Sequence, residues 1–80
     1  MIKAKVVYQS ERRPYADMEI EYEVTADNES AEEVERYCTE KVHRCSTSSK
    51  DDRGLCDTYY VFRKWGENKY LYRVIEPNCD

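Results

Sequence analysis

Glutamates that recur at every second position are the side chains of this chain whose spacing most suggests chemistry. On a β-strand, Glu19, Glu21 and Glu23 would all lie on one side, about 6.6–6.8 Å apart. Such an evenly spaced anionic row can imitate a nucleic-acid backbone towards a protein that binds phosphate. Carboxylate pairs also serve as general acid and base, but only where an apolar pocket separates their pKa values, and a solvated strand face provides none. The row therefore predicts a docking surface rather than a catalytic site.

The acidic residues are concentrated in one segment. The chain has 17 acidic and 13 basic side chains, yet between Asp17 and Glu35 there are nine acidic residues and no basic one. This segment carries −9 and the rest of the chain +5, although the net charge is only −4. A charge run is often just a solvated face, but it can also steer a domain towards a basic partner. The residues predicted for this acidic contact surface are Asp17, Glu19, Glu21, Glu23, Glu32 and Glu33.

Four cysteines and one histidine are the other residues that could hold a metal or act as nucleophile and base. Structural zinc sites use a close pair such as C-x₂₋₄-C, whereas successive cysteines here are separated by six, ten and twenty-two residues. His43 would lie about 140° around a helix from Cys38, too far round to share a metal with it. The chain also lacks G-x-S-x-G, a Gly-rich phosphate loop and H-E-x-x-H, so we expect no catalytic residue, metal or cofactor.

The thiols are expected to be reduced. On a helix, Cys38 and Cys45 lie about 10.5 Å apart, beyond the reach of about 7 Å between Cα atoms that a disulfide allows. Cys56 and Cys79 could be bridged, because a hairpin folded about Glu67 puts residue 56 opposite residue 78. The N-terminus lacks the apolar region of an export signal, and no apolar run reaches the roughly 18 residues of a membrane span. We therefore expect a cytoplasmic domain without membrane contact.

Local sequence patterns predict the elements that must position these side chains. Four segments of alternating or apolar residues predict strands, and a capping box formed by Ser30 and Glu33 opens an amphipathic helix. The predicted strands are residues 2–8, 18–25, 58–64 and 70–76, and the helix extends from Ser30 to about Cys45. Its apolar stripe consists of Ala31, Val34, Cys38, Val42 and Cys45, and His43 falls on its exposed side.

The predicted fold class is α+β, with the order ββαββ and a four-stranded antiparallel sheet with one amphipathic helix packed on one face. Residues 1–80 form a single domain, because a chain of this length has room for one core layer. The first two strands should form a hairpin that sets Lys3 and Lys5 beside some glutamates of the row. The first strand should be half-buried through its alternating residues, which are Ile2, Ala4, Val6 and Tyr8.

One helix covers one face of such a sheet, and the second hairpin is largely apolar or aromatic on both sides. Loops could cover the other face, or a second copy of the chain or another protein could, because tyrosine, tryptophan and arginine are enriched in interface hot spots. Aromatic residues flanked by arginine also suit single-stranded nucleic acid, with Arg12 and Arg13 in support. The residues predicted for this aromatic and basic contact surface are Tyr59, Arg63, Trp65, Tyr72 and Arg73.

In size, charge and architecture, this short acidic tyrosine-rich domain resembles the inhibitors that phages and mobile elements use against host nucleic-acid machinery, including anti-restriction and anti-CRISPR proteins. No motif is shared residue by residue. The resemblance implies a non-enzymatic protein-binding module that docks an acidic surface on a basic, nucleic-acid-binding partner protein. One alternative is a single-stranded nucleic-acid binder that uses the aromatic face, although the acidic balance of the chain makes direct binding of nucleic acid less favoured. The other is a homo-oligomeric structural protein that buries that face.

Overall fold

The computed structural model describes residues 1–11, 16–45 and 58–77. Its elements follow the predicted order ββαββ, which confirms the α+β fold class. The strands are β1 (Lys3–Gln9), β2 (Met18–Thr25), β3 (Tyr59–Gly66) and β4 (Lys69–Glu76), and the helix is α1 (Ala31–Tyr37), which continues as a π-helical turn over Cys38–Val42. Arg12 and Arg13, expected to support a nucleic-acid contact, lie outside the described residues, and so do Cys56 and Cys79, for which a bridge is sterically possible.

The four strands form one antiparallel sheet in the order β1-β2-β4-β3. Each hairpin pairs its own strands, and β2 and β4 join the hairpins in the middle of the sheet. The turn of the second hairpin contains Asn68 at φ 58°, a left-handed conformation that asparagine tolerates better than most residues. The predicted first hairpin is confirmed, and Lys5 lies opposite Glu23 in it.

The core lies between α1 and one face of the sheet. Alternation along the central strands puts Val24 of β2 and the side chains of Tyr70, Tyr72 and Val74 of β4 on this face, where they pack with Val34 and Cys38. Five of these side chains have no exposed surface, and each buried apolar side chain of this size contributes about 1.5–3 kcal/mol. The fully covered side chains are Val24, Val34, Cys38, Tyr72 and Val74.

Strand β1 is less buried than its alternation predicts. All seven residues from Lys3 to Gln9 are exposed, because β1 is an edge strand and the core forms on the central strands. A register shift between Val6 and Tyr8 also moves Tyr8 to the other face of the sheet, level with Glu21. The half-buried edge expected for Ala4, Val6 and Tyr8 is therefore wrong.

The helix begins as predicted and ends early. Ser30 is the N-cap, and its hydroxyl accepts a hydrogen bond from the backbone N–H of Glu33 at 3.2 Å. After Val42, His43 is extended, with φ −157° and ψ 114°, so the helix does not reach Cys45. The Tyr72 hydroxyl donates to the carbonyl of His43 at 2.7 Å and holds this segment to the sheet. Within the described ranges, no helix is long and apolar enough to cross a membrane.

Candidate functional site

The glutamate row lies on the face of the sheet opposite α1, which we call the open face. Most of its members follow from the strand register. Trp65 is assigned to it because the ammonium of Lys69, which the register places on this face, lies 5.2 Å from the centre of the Trp65 ring. In strand order, they are Lys3, Lys5 and Tyr8 on β1, Glu19, Glu21 and Glu23 on β2, Lys69, Leu71, Arg73 and Ile75 on β4, and Tyr59, Val61, Arg63 and Trp65 on β3.

Basic side chains flank the row on both sides. Arg73 Nη2 lies 3.4 Å from Glu21 Oε1, and Lys5 is the cross-strand neighbour of Glu23. Among the described strand residues of the open face, the three glutamates are accompanied by five cations, namely Lys3, Lys5, Arg63, Lys69 and Arg73. Because β2 is a central strand, its negative charge is divided between two basic neighbours, and the open face is not an acidic surface.

The acidic residues of the helix lie on the other side of the molecule. Glu32 and Glu33 occupy the first turn of α1, are exposed, and form no ion pair within the part of the chain that the structure describes. The six residues predicted as one acidic contact surface are therefore divided between two surfaces, because the helix packs against the face opposite the row. Asp17 is exposed just before β2.

Two more carboxylates precede the helix and extend its acidic end. Asp27 is 69% exposed at its side chain, and Glu29 accepts hydrogen bonds from the backbone N–H groups of Asp27 and Asn28. The Met1 ammonium lies 2.9 Å from a carboxylate oxygen of each acid. The hydrogen bond with this ammonium, followed by that from the Asp27 N–H, lowers the pKa of Glu29 to about 2. We call Asp27, Glu29, Glu32 and Glu33 together the acidic helix start.

The predicted aromatic and basic surface keeps four of its five members. Arg63, Trp65 and Arg73 are exposed on the open face, and Tyr59 is half-buried there. Tyr72 is not on a surface, because its alternation with Arg73 puts it under the helix with no exposed area. Burial raises the pKa of its hydroxyl, which is bound to the His43 carbonyl. The assignment of Tyr72 as a contact residue is therefore wrong.

A polar cluster at the end of the helix is absent from the sequence-based prediction. His43 is 21% exposed rather than solvent-facing, with Nδ1 3.3 Å from the Tyr22 hydroxyl and Nε2 3.3 Å from Glu76 Oε1. Helical periodicity placed His43 outwards, whereas the helix ends at Val42 and turns its ring towards the sheet. No local pattern signals this contact, which depends on residues far apart in the chain.

This cluster contains residue types that also occur in acid–base relays, and its contacts join the end of the helix to the sheet. Burial raises the pKa of the Tyr22 hydroxyl, and burial likewise raises the pKa of the Cys45 thiol, which lies 3.4 Å from the Tyr72 hydroxyl. An activated nucleophile needs a lowered pKa instead. The cluster therefore ties the end of the helix to β2 and β4.

The other cysteine among the described residues, Cys38, is free and buried in the core. Burial, with a smaller contribution from Glu35, raises its pKa to about 12. Among residues 1–11, 16–45 and 58–77, no group of three histidine, cysteine or acidic side chains is arranged to hold a metal ion.

Two surfaces are left as candidate contact sites: the open face and the acidic helix start. Comparison with protein families, with curated proteins and with solved structures finds no match to this chain. The charge and exposure of these two surfaces are therefore what points to a function.

Proposed function

We propose that this chain is a small non-enzymatic protein-binding module that docks its acidic helix start on a basic surface of a partner protein. The observation that carries the proposal is that Glu32 and Glu33 are adjacent, exposed and free of ion pairs with the described residues. Carboxylates of this kind attract a basic partner over several ångströms and speed its association.

Local structure supports a fixed presentation of these charges. The Ser30 cap holds the first turn of α1, and Val34 and Cys38 anchor the helix in the core. The partner therefore meets carboxylates on a packed element rather than on a loose segment, which reduces the ordering cost of binding. The glutamate row does not serve this role, because Lys5 and Arg73 lie beside Glu23 and Glu21.

The partner class we propose is a basic protein that binds nucleic acid. Such a protein presents clustered lysine and arginine to phosphate, and a carboxylate surface competes for the same side chains. Docking there would inhibit nucleic-acid binding without catalysis, as the resemblance to phage and mobile-element inhibitors implies. A cytoplasmic location belongs to the proposal and is supported by the free thiols of Cys38 and Cys45.

A second candidate is binding of single-stranded nucleic acid on the open face. It is favoured by Trp65, which is 49% exposed, and by its exposed neighbour Arg63. Against it, Glu19, Glu21 and Glu23 lie along the middle of that face, where they would repel the phosphates of a bound strand.

The test compares two double variants with the same change in net charge. Binding of a fluorescent oligolysine peptide is measured for Glu32→Lys/Glu33→Lys and for Glu19→Lys/Glu23→Lys at low and moderate salt, with a single-stranded oligonucleotide as second probe. We expect the helix variant to bind the peptide about tenfold more weakly than the row variant, and the wild type to lose affinity as salt rises. A greater loss in the row variant would contradict the proposal, and tight oligonucleotide binding by the wild type would favour the second candidate.

A further inference from the structure

At the centre of the open face, Glu21 of β2 and Arg73 of β4 form a pair of opposite charges that is complementary to itself. We propose that two copies of this chain pack through their open faces about a two-fold axis that runs parallel to the strands, midway between β2 and β4. This inference is independent of the proposed docking function, because α1 and the acidic helix start remain on the outside of such a dimer.

The strand order makes this arrangement complementary in charge. In the order β1-β2-β4-β3, an axis parallel to the strands puts β2 over β4 of the second copy and keeps each residue at its own level along the strands. Glu21 and Arg73 are cross-strand neighbours at one level, with 3.4 Å between Oε1 and Nη2. Glu21 therefore faces Arg73 of the second copy, Arg73 faces the second Glu21, and the four side chains form a closed ring of alternating charge.

The same operation also brings exposed apolar side chains together. Tyr8 on β1 and Val61 on β3 are both level with the Glu21–Arg73 pair. The parallel axis puts β1 over β3 of the second copy, so Tyr8 of each copy faces Val61 of the other. They are 52% and 50% exposed, and burying such surface is what stabilises a protein interface. At the end of the sheet where Lys69 lies over Trp65, Lys3 approaches Trp65 of the second copy, a cation–π pairing.

An axis perpendicular to the strands gives the opposite result. It would place β2 over β2 and β4 over β4, so that the glutamate row faces the glutamate row of the second copy and, with the axis at the level of the Glu21–Arg73 pair, Arg73 faces Arg73. Like charges facing each other across an interface oppose association. The parallel axis leaves two pairings of like charge with the second copy, Lys5 with Arg63 and Lys3 with the Lys69 that lies over Trp65. Each involves an edge strand, where solvent screens it, and Glu23 lies beside Lys5.

The experiment measures self-association by sedimentation equilibrium at protein concentrations up to about 1 mM. The wild type is compared with Glu21→Arg and Arg73→Glu, each of which puts like charges face to face twice in the dimer. Matched controls are Glu40→Arg and Arg36→Glu, which make the same charge changes at exposed helix-side positions. We expect a wild-type dimer, dimerisation weakened about tenfold or more in both open-face variants, and no comparable change in the controls.

Mixing the two open-face variants is the sharper test. The arginine introduced at position 21 of one chain then faces the glutamate introduced at position 73 of the other, and the unchanged Arg73 faces the unchanged Glu21. We therefore expect a one-to-one heterodimer of about wild-type affinity, with no such gain for the mixed controls.

Circular dichroism tests whether each variant is folded. If an open-face variant does not fold, Val61→Glu takes its place, and we expect the same loss of dimer from it. A wild type that is monomeric throughout, or open-face variants that dimerise as well as the wild type, or a mixture without heterodimer, would overturn the proposal.

Discussion

Replacement of Tyr72 by alanine is expected to lower the free energy of unfolding by about 3–5 kcal/mol, the usual cost of truncating a fully buried aromatic side chain. A domain of 80 residues has roughly 4–12 kcal/mol of stability in total, so the variant should be partly or largely unfolded at ambient temperature. The cause is the position of Tyr72 at the centre of the core, where its ring contacts those of Tyr22 and Tyr60 and its hydroxyl holds the His43 carbonyl.

Urea denaturation monitored by circular dichroism measures this effect, with Trp65→Ala as the matched aromatic control. Trp65 is half exposed on the open face, so its loss should cost about 1 kcal/mol or less. Tyr72→Phe should fall between them at about 1–3 kcal/mol, because it removes the strong hydroxyl donor at 2.7 Å and leaves the His43 carbonyl with the weaker contact of the Cys45 thiol at 3.8 Å. If Trp65→Ala were the more destabilising change, the helix would be packed on the opposite face of the sheet.

The Cys38 thiol is expected to react about a thousandfold more slowly in the folded protein than in the unfolded chain. At pH 8, a thiol with the ordinary pKa of 9.0 is about one tenth ionised, whereas a pKa of about 12 leaves about one part in ten thousand as thiolate. The thiolate is the reactive form, so the raised pKa slows the reaction of Cys38. Its lack of exposed surface slows the reaction further.

Alkylation by iodoacetamide, read residue by residue by peptide mass spectrometry, measures the rate at each cysteine. Cys45, half-buried and with a raised pKa, should react faster than Cys38 but slower than an unfolded thiol. Tyr72→Ala should remove the protection of Cys38, since that variant opens the core. Rapid alkylation of Cys38 in the wild type would contradict its assignment as a packing residue and reopen the case for a reactive thiol.

The fold was largely predictable because its signals are local. Alternation along β2 and β4, the Ser30 cap and the spacing of Val34 and Cys38 all act within a few residues of chain, and each agrees with the final architecture. Alternation also separates Tyr60 and Phe62 from Val61 and Arg63 on the second hairpin, but it does not tell which side packs against the helix, and the structure puts Tyr60 and Phe62 there. Such agreement between neighbouring signals is what makes element order predictable from sequence.

The candidate sites were less predictable because they depend on pairing between distant residues. Whether the glutamates of β2 form an isolated acidic row depends on which strands lie beside β2, and Arg73 comes from 52 residues further along the chain. The burial of Tyr72 and the turn of His43 towards Glu76 likewise arise from the packing of the end of the helix on β4. The register shift at Val7, which reverses the side of Tyr8, has no marker such as glycine or proline.

The most direct measurement of the central claim is a map of backbone amide chemical shifts in the wild type as the oligolysine peptide is added. Docking through the acidic helix start predicts the largest shift changes between Asp27 and Arg36, decreasing as salt is raised. Amides of Glu21 and Glu23 should change little, because their carboxylates already lie beside Arg73 and Lys5. Shift changes concentrated on the glutamate row, with the helix unaffected, would contradict the account.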